Sequence, residues 1–218
     1  MGLFITLEGP DGSGKTTQIE HLARQLRAAN HTVLLTREPG GTAIGDQIRS
    51  VLHDLCNTEM TAQTEFLLYS ASRAQLVREV ILPHLARGGS VVSDRFADSS
   101  VAYQGYGRQL ELDWVRRITQ FATDSLTPDL TIYLDLPVEV GIERKQAAFA
   151  AQRGECNRLD RQTIAFYQRV RSGYLTLARA EPQRWLVIDA TQSVEDIQQA
   201  IGQRLESVLP EIKRGVRE

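Results

Sequence analysis

Eight residues near the N-terminus, Gly9-Pro10-Asp11-Gly12-Ser13-Gly14-Lys15-Thr16, carry the densest chemistry in the chain. They fit G-x-x-x-x-G-K-[ST], the pattern of a loop that wraps a nucleotide's phosphates. Its glycines permit φ > 0, so that successive backbone N–H groups can converge on oxyanions. Lys15 adds a point charge toward the β- and γ-phosphates, and the Thr16 hydroxyl is placed to ligate Mg²⁺. A helix beginning near Lys15 would aim its positive end at the same phosphates. The apolar run Gly2–Glu8 precedes the loop, and Ile19, Leu22, Ala23 and Leu26 follow it at helical spacing. Strand, loop and helix in that order favour a phosphate cradle over a glycine-rich structural turn.

A second group of cations suggests a second anion. Arg37, Arg49, Arg73 and Arg95 fall after apolar runs or beside aromatic residues. One such arginine alone reads as a solvated charge. Several together suit a phosphate, because the planar guanidinium offers two parallel hydrogen bonds.

The elements that must position these groups alternate between apolar runs and helical patterns. Strands are predicted at Gly2–Glu8, His31–Thr36, Ser90–Ser93, Leu130–Leu136 and Trp185–Asp189. Helices are predicted after the loop, through Ile44–Leu52, over Thr61–Ala86, from Val138, over Gln162–Ala180 and over Val194–Leu209. That order implies an α/β fold: a five-stranded parallel sheet with helices on both faces, filling residues 1–218 as one domain. In such sheets ligands bind at the carboxyl ends of the strands. The stretch from Ala147 to Arg161 is rich in arginine and weakly patterned.

The net charge of -2 argues against a general grip on nucleic acid. No apolar run approaches the roughly 20 residues that cross a bilayer, and no signal peptide is expected. Cys56 and Cys156 lie far apart without metal-type spacing, which points to reduced thiols and a cytoplasmic protein.

The segment Asp94-Arg95-Phe96-Ala97-Asp98-Ser99-Ser100-Val101-Ala102-Tyr103-Gln104 resembles the signature of thymidylate kinases. So do the Gly9–Thr16 loop, Arg37-Glu38-Pro39-Gly40-Gly41-Thr42, Ser72-Arg73-Ala74-Gln75, Pro128–Thr131 and Asp189-Ala190-Thr191. The resemblance spans nearly the whole chain. It implies a P-loop kinase fold with a mobile lid at about residues 147–161, ATP as phosphate donor, dTMP as acceptor, Mg²⁺, and a homodimer formed through helices such as the one around Phe66 and Leu67.

Residue by residue, the resemblance assigns Gly9, Pro10, Asp11, Gly12, Ser13, Gly14, Lys15, Thr16 and Thr17 to ATP, with Arg144 near the adenine. Asp11 would also bind the acceptor's 3'-hydroxyl. Arg49 and Arg95 would hold its 5'-phosphate, and Arg37 would also belong to the acceptor site. Tyr69 would stack on thymine, Arg73 would reach a base carbonyl, Ser100 and Gln104 would hydrogen-bond the base edge, and Ser99 would also belong to the acceptor site. Tyr103 would pack under the deoxyribose. Thr16 and Asp94 would serve the metal. The family places a catalytic arginine either in the phosphate loop or in the lid. Gly12-Ser13 stand where a loop arginine would be, so the lid must supply the charge. Lys15, Arg95 and Arg153 are therefore the expected catalytic set, with Arg158 and Arg161 as further lid candidates.

Overall fold

In this computed structural model, residues 2–152 and 156–214 are described. Five strands, β1 (Phe4–Glu8), β2 (Val33–Arg37), β3 (Ser90–Asp94), β4 (Leu130–Asp135) and β5 (Trp185–Asp189), form one parallel sheet in the order β2-β3-β1-β4-β5. The central strand, β1, pairs Leu7 with Asp94 on one side and Glu8 with Tyr133 on the other. The loops after β1 and β3 therefore emerge side by side.

Pleating decides what each face carries. On β1 the odd residues Leu3, Ile5 and Leu7 join Ile19, Leu22 and Leu26 of α1 (Lys15–Ala28) and Ile197 and Ile201 of α9 (Val194–Arg214) in one core layer. Phe4, on the even face, packs instead on Leu76, Val77, Ile81 and Phe96. Thr6 and Glu8 share its parity, so β1 delivers an acidic side chain to that second face. Both residues are fully buried there.

The second face is covered by α2 (Ala43–His53), α3 (Ala62–Leu76), α4 (Leu82–Ala86), α5 (Ala97–Ser100), α6 (Leu112–Thr123) and α8 (Ile164–Ala180). The predicted single helix over Thr61–Ala86 is continuous but contains a π-helical turn at Val77–Ile81. The run Ala97–Thr123 had no helical prediction; it forms α5, a π-helical turn at Val101–Gly107, and α6. The signature residues in Ser99–Gln104 are thus helical, which is how Ser100, Tyr103 and Gln104 come to share a face. The remaining helix, α7 (Val138–Ala150), follows β4 and flanks the phosphate loop.

Two glycines let α8 lie against the π-helical turn. A Cβ on Gly173 would approach the Tyr106 ring atoms at 2.8 Å, and one on Gly107 would approach Phe166 at 2.7 Å. Gly173→Ala is expected to cost about 1–3 kcal/mol, the range for overpacking a filled interior. Urea unfolding monitored by circular dichroism would read this as a lower midpoint with an unchanged slope.

Candidate active site

A cleft of about 890 Å³ opens at the carboxyl ends of the strands. Its lining joins Pro10, Asp11, Gly12, Lys15 and Thr16 of the loop to Arg37, Arg49, Tyr69, Arg73, Asp94, Arg95, Ser99, Ser100, Tyr103 and Gln104. Nearly every side chain expected at either substrate therefore meets in one cavity. Gly9, Ser13, Gly14, Thr17 and Arg144, all expected at ATP, do not line it.

The loop takes its shape from left-handed backbone at Gly12 (φ 82°) and Gly14 (φ 89°), the latter immediately before α1. A side chain at Gly12 would also crowd Arg144 Cβ, at 3.0 Å. Lys15 is buried and donates to the carbonyls of Gly9 (3.2 Å) and Pro10 (3.1 Å). Burial, with Arg95 nearby, lowers its pKa below the usual lysine value. It sits inside the cradle that it would use to bind phosphate.

Asp11 stands between three cations: Arg95 Nη2 at 3.1 Å, Lys145 Nζ at 2.5 Å and Lys15 Nζ at 4.0 Å. Burial acts to raise its pKa, but Lys15, Arg95 and Lys145 outweigh it and hold the carboxyl well below the usual range. Asp11 is therefore an ionised acceptor in the seam between loop and second site.

Arg95 is itself left-handed (φ 70°). Its N–H bonds to Leu7 O at 2.9 Å, its carbonyl accepts from Ser93 Oγ at 2.7 Å, and its guanidinium lies 5.1 Å over the Tyr103 ring. Beneath it Glu8 Oε1 accepts from Phe96 N (2.9 Å), and Oε2 accepts from Ser99 Oγ (2.6 Å) and Tyr174 Oη (2.7 Å). The Arg95 Nη1 lies 4.0 Å from Glu8 Oε2. The turn carrying Arg95 is thus pinned by a buried acid from the central strand.

Arg73 is almost fully buried. It donates from Nε to Glu38 Oε2 (2.8 Å), from Nη1 to Ser100 Oγ (2.9 Å) and from Nη2 to Phe96 O (3.1 Å). Glu38 precedes a cis proline, Pro39, whose carbonyl accepts from Arg49 Nη1 at 3.2 Å. Ser72 Oγ accepts from Gly40 N at 3.0 Å and ties that turn to α3. Gln104 is buried with its Nε2 on Glu65. Arg37 is half-exposed and bonds Asp46 at 3.2 Å. Tyr69 is half-buried at the cleft wall, one turn before Arg73.

On the lid side, Arg153 falls outside the described residues. The other two candidates are committed elsewhere. Arg158 donates to buried Glu65 and to Leu52 O, and Arg161 donates to Leu55 O at 3.1 Å. Together they dock the 3₁₀ turn Arg158–Arg161 onto the end of α2, and neither lines the cleft. Arg144 reaches Gly12 O (3.4 Å) and Ala190 O (3.1 Å), bridging the phosphate loop and the segment after β5. Lys145 joins Asp11 to Asp160 of the 3₁₀ turn.

A hard divalent cation wants oxygen ligands and keeps several waters. The Oδ1 of Asp94 is buried without a hydrogen-bond partner, and Thr16 lines the same cleft. Those two groups suit a cation held mainly by phosphate and water. Among the described residues no cluster of three or more His, Cys, Asp or Glu could hold one unaided.

Glu8, Glu38, Glu65, Lys145 and Tyr174 were not anticipated. For Glu65 a signal existed: Glu65, Tyr69 and Arg73 recur every fourth residue along α3, one helical face. For Glu8 it was an acid inside an otherwise buried strand. Lys145 reads in sequence as an ordinary helix-surface charge.

Comparison with known proteins gives the family. A family model described as "Thymidylate kinase" matches residues 7–201. The thymidylate kinase of Roseiflexus sp. (strain RS-1) is 51% identical over 221 residues, covering 98% of each chain. That of Deinococcus radiodurans is 54% identical over 200 residues, covering 92% of this chain and 94% of the relative. The crystal structure of thymidylate kinase from Ehrlichia chaffeensis superposes with a TM-score of 0.74 at 31% identity, over 94% of this chain and 98% of that one.

Burial, opposed by Arg95 and reinforced by Asp98, pushes the Glu8 carboxyl up to about 7 from 4.5. A carboxyl raised on folding contributes stability that is present below the unfolded pKa and lost as pH climbs through the folded one. The stability advantage of the wild type over Glu8→Gln is therefore expected to shrink between pH 4.5 and 7, by up to about 3 kcal/mol. Urea titrations of both proteins across that range check it; parallel pH curves would contradict it.

Proposed function

The chain belongs to the thymidylate kinase family, and from that membership we propose that it transfers the γ-phosphate of ATP to dTMP, giving ADP and dTDP for dTTP synthesis. One observation carries the reading. Asp11 of the phosphate loop and Arg95 after β3 meet at 3.1 Å, inside one cleft that also holds the buried Arg73–Ser100 and Gln104 groups. A nucleoside triphosphate on the loop and a nucleoside monophosphate on the far side would face each other across that contact.

Phosphoryl transfer asks the protein chiefly for alignment and for neutralising the charge of the moving group. Lys15 sits within the loop to meet the β- and γ-phosphates. Arg95, with Arg49 and Arg37, holds the 5'-phosphate of dTMP, and Asp11 accepts from its 3'-hydroxyl. Tyr69 stacks on the thymine, Arg73 donates to a base carbonyl, and Ser99, Ser100 and Gln104 complete that wall. Tyr103 underlies the deoxyribose. Thr16 and Asp94 would hold Mg²⁺, which would neutralise part of the phosphate charge. Arg144 lies toward the adenine. Arg153 is assigned the lid charge by its motif, and the docking of Arg158 and Arg161 elsewhere supports that choice. A lid spanning about residues 147–161 closes to keep water from the phosphates.

We also place the protein in the cytoplasm, as a homodimer. Both cysteines are free and exposed, and no helix among the described residues is long and apolar enough to cross a membrane. Phe66 is core, packed on Val101 and Val115, so only Leu67 of the expected pair is presented. Leu67 on α3 is exposed, as are Trp114 and Phe121 on the neighbouring α6, and large apolar side chains so exposed favour association.

Initial rates with ATP and a panel of dTMP, dCMP, dGMP and AMP are expected to favour dTMP. Lys15→Met is expected to lower kcat by about 10²–10³, the scale for removing one charge-stabilising donor. Faster transfer to AMP or dCMP would sink the assignment. Sedimentation velocity is expected to find the wild type at twice the monomer mass, with Leu67→Glu/Phe121→Glu shifted toward monomer.

A further inference from the structure

Glu65 does not line the cleft, yet four hydrogen bonds from three residues converge on it beneath the cleft. It is fully buried on α3. Its Oε1 accepts from Gln104 Nε2 at 2.9 Å and from Arg108 Nε at 3.1 Å. Its Oε2 accepts from Arg108 Nη2 at 2.8 Å and from Arg158 Nη2. Burial acts to raise its pKa, but the bonds from Arg108, Gln104 and Arg158 bring it below the ordinary value. At neutral pH it is a carboxylate.

A carboxylate can only accept. The part of Gln104 that faces it must be the NH₂, which turns the Gln104 carbonyl away from Glu65. Gln104 is itself part of the cleft lining, whereas Glu65 is not. Arg73 lines the same cleft and donates to Ser100 Oγ, one helical turn before Gln104, so this wall carries a guanidinium donor as well as the amide's acceptor. Donor beside acceptor complements a base edge that offers a carbonyl beside a ring N–H.

We propose that Glu65 is the positioning residue that sets base selectivity: by taking the Gln104 NH₂ it fixes an acceptor toward the base, which suits a pyrimidine protonated at N3 and opposes one whose N3 is a bare acceptor. Thymine and uracil belong to the first class and cytosine to the second. The inference rests on the dTMP kinase reading and deepens it.

Glu65→Gln should reverse the amide. The Oε2 position faces two guanidinium donors and the Oε1 position only one, Arg108 Nε at 3.1 Å, so the introduced NH₂ falls at the Oε1 position, at the cost of that longer bond, and faces Gln104. Gln104 then turns its carbonyl toward that NH₂ and presents its own NH₂ to the base, donor against donor. A buried mismatch of this kind is costly, and sites built on such bonds discriminate strongly.

The test is the ratio of kcat/KM for dTMP to that for dCMP. In Glu65→Gln the ratio is expected to fall at least ~10-fold, with the KM for ATP unchanged. In Glu65→Gln/Gln104→Glu, the carboxylate at 104 accepts from the introduced amide and offers its other oxygen to the base. That exchange is expected to restore the ratio to within a few-fold of the wild type. A purely structural role would lower both substrates together and leave the ratio unmoved. An unchanged ratio in a cooperatively melting Glu65→Gln overturns the assignment of Glu65. A wild type with no preference for dTMP over dCMP overturns the dTMP kinase reading instead. Should the single variant fail to fold, the exchanged pair is read alone: a kept preference for dTMP supports the proposal and a lost one overturns it.

Discussion

A guanidinium can be buried under a polar cleft only if carboxylates are buried with it, because an unpaired charge in the interior is too costly. The second face of the sheet follows from that constraint. Glu38 holds Arg73, Glu65 holds Arg108 and Arg158, and Asp98 holds Arg184. Glu8 lies 4.0 Å from Arg95 and anchors the turn that carries it. Each acid comes from a different element: β1, the turn after β2, α3 and α5. The pairs therefore tie together segments far apart in the chain.

Pairs of this kind do little for net stability, since desolvation offsets most of the attraction. What they fix is direction. Arg73 is oriented by Glu38 so that Nη1 meets Ser100, and Gln104 is oriented by Glu65. Arg95 takes a left-handed backbone, which costs about 1–3 kcal/mol for a non-glycine residue, and the bonds from Glu8 to Phe96, Ser99 and Tyr174 over-determine that turn. Positioning of this kind is what phosphoryl transfer demands, because misplaced reacting groups lose rate steeply.

The fold was legible where periodicity was strong. All five strands lie within a residue or two of their predicted ends, since β1, β3 and β4 are short apolar runs bounded by turn residues. The helical run Ala97–Gly107 was not, because Tyr103, Gln104 and Gly105 sit in a π-helical turn that breaks the usual period, whereas α6 is a regular amphipathic helix that the sequence reading passed over. In the site, Lys15, Arg73 and Arg95 stand out in the sequence by type and spacing, and all three line the cleft. Residues that act through a neighbour were not: Glu8 and Glu65 have no motif of their own, and their role appears only when α3, α5, α8 and β1 are packed together. Arg158 and Arg161 show the converse, since two arginines in an apparent lid serve as its anchors.

The central claim is that both nucleotides occupy one continuous cleft, joined at the Asp11–Arg95 contact. Calorimetric titration with a bisubstrate compound, adenosine linked to thymidine through a 5',5'-polyphosphate, tests it most directly. The expected result is one molecule bound per chain, displaced by ADP and by dTMP alike, with an affinity at least 100-fold above that of either nucleotide, as linkage of two adjoining sites allows. Binding no tighter than ADP alone, or displacement by only one nucleotide, would contradict it.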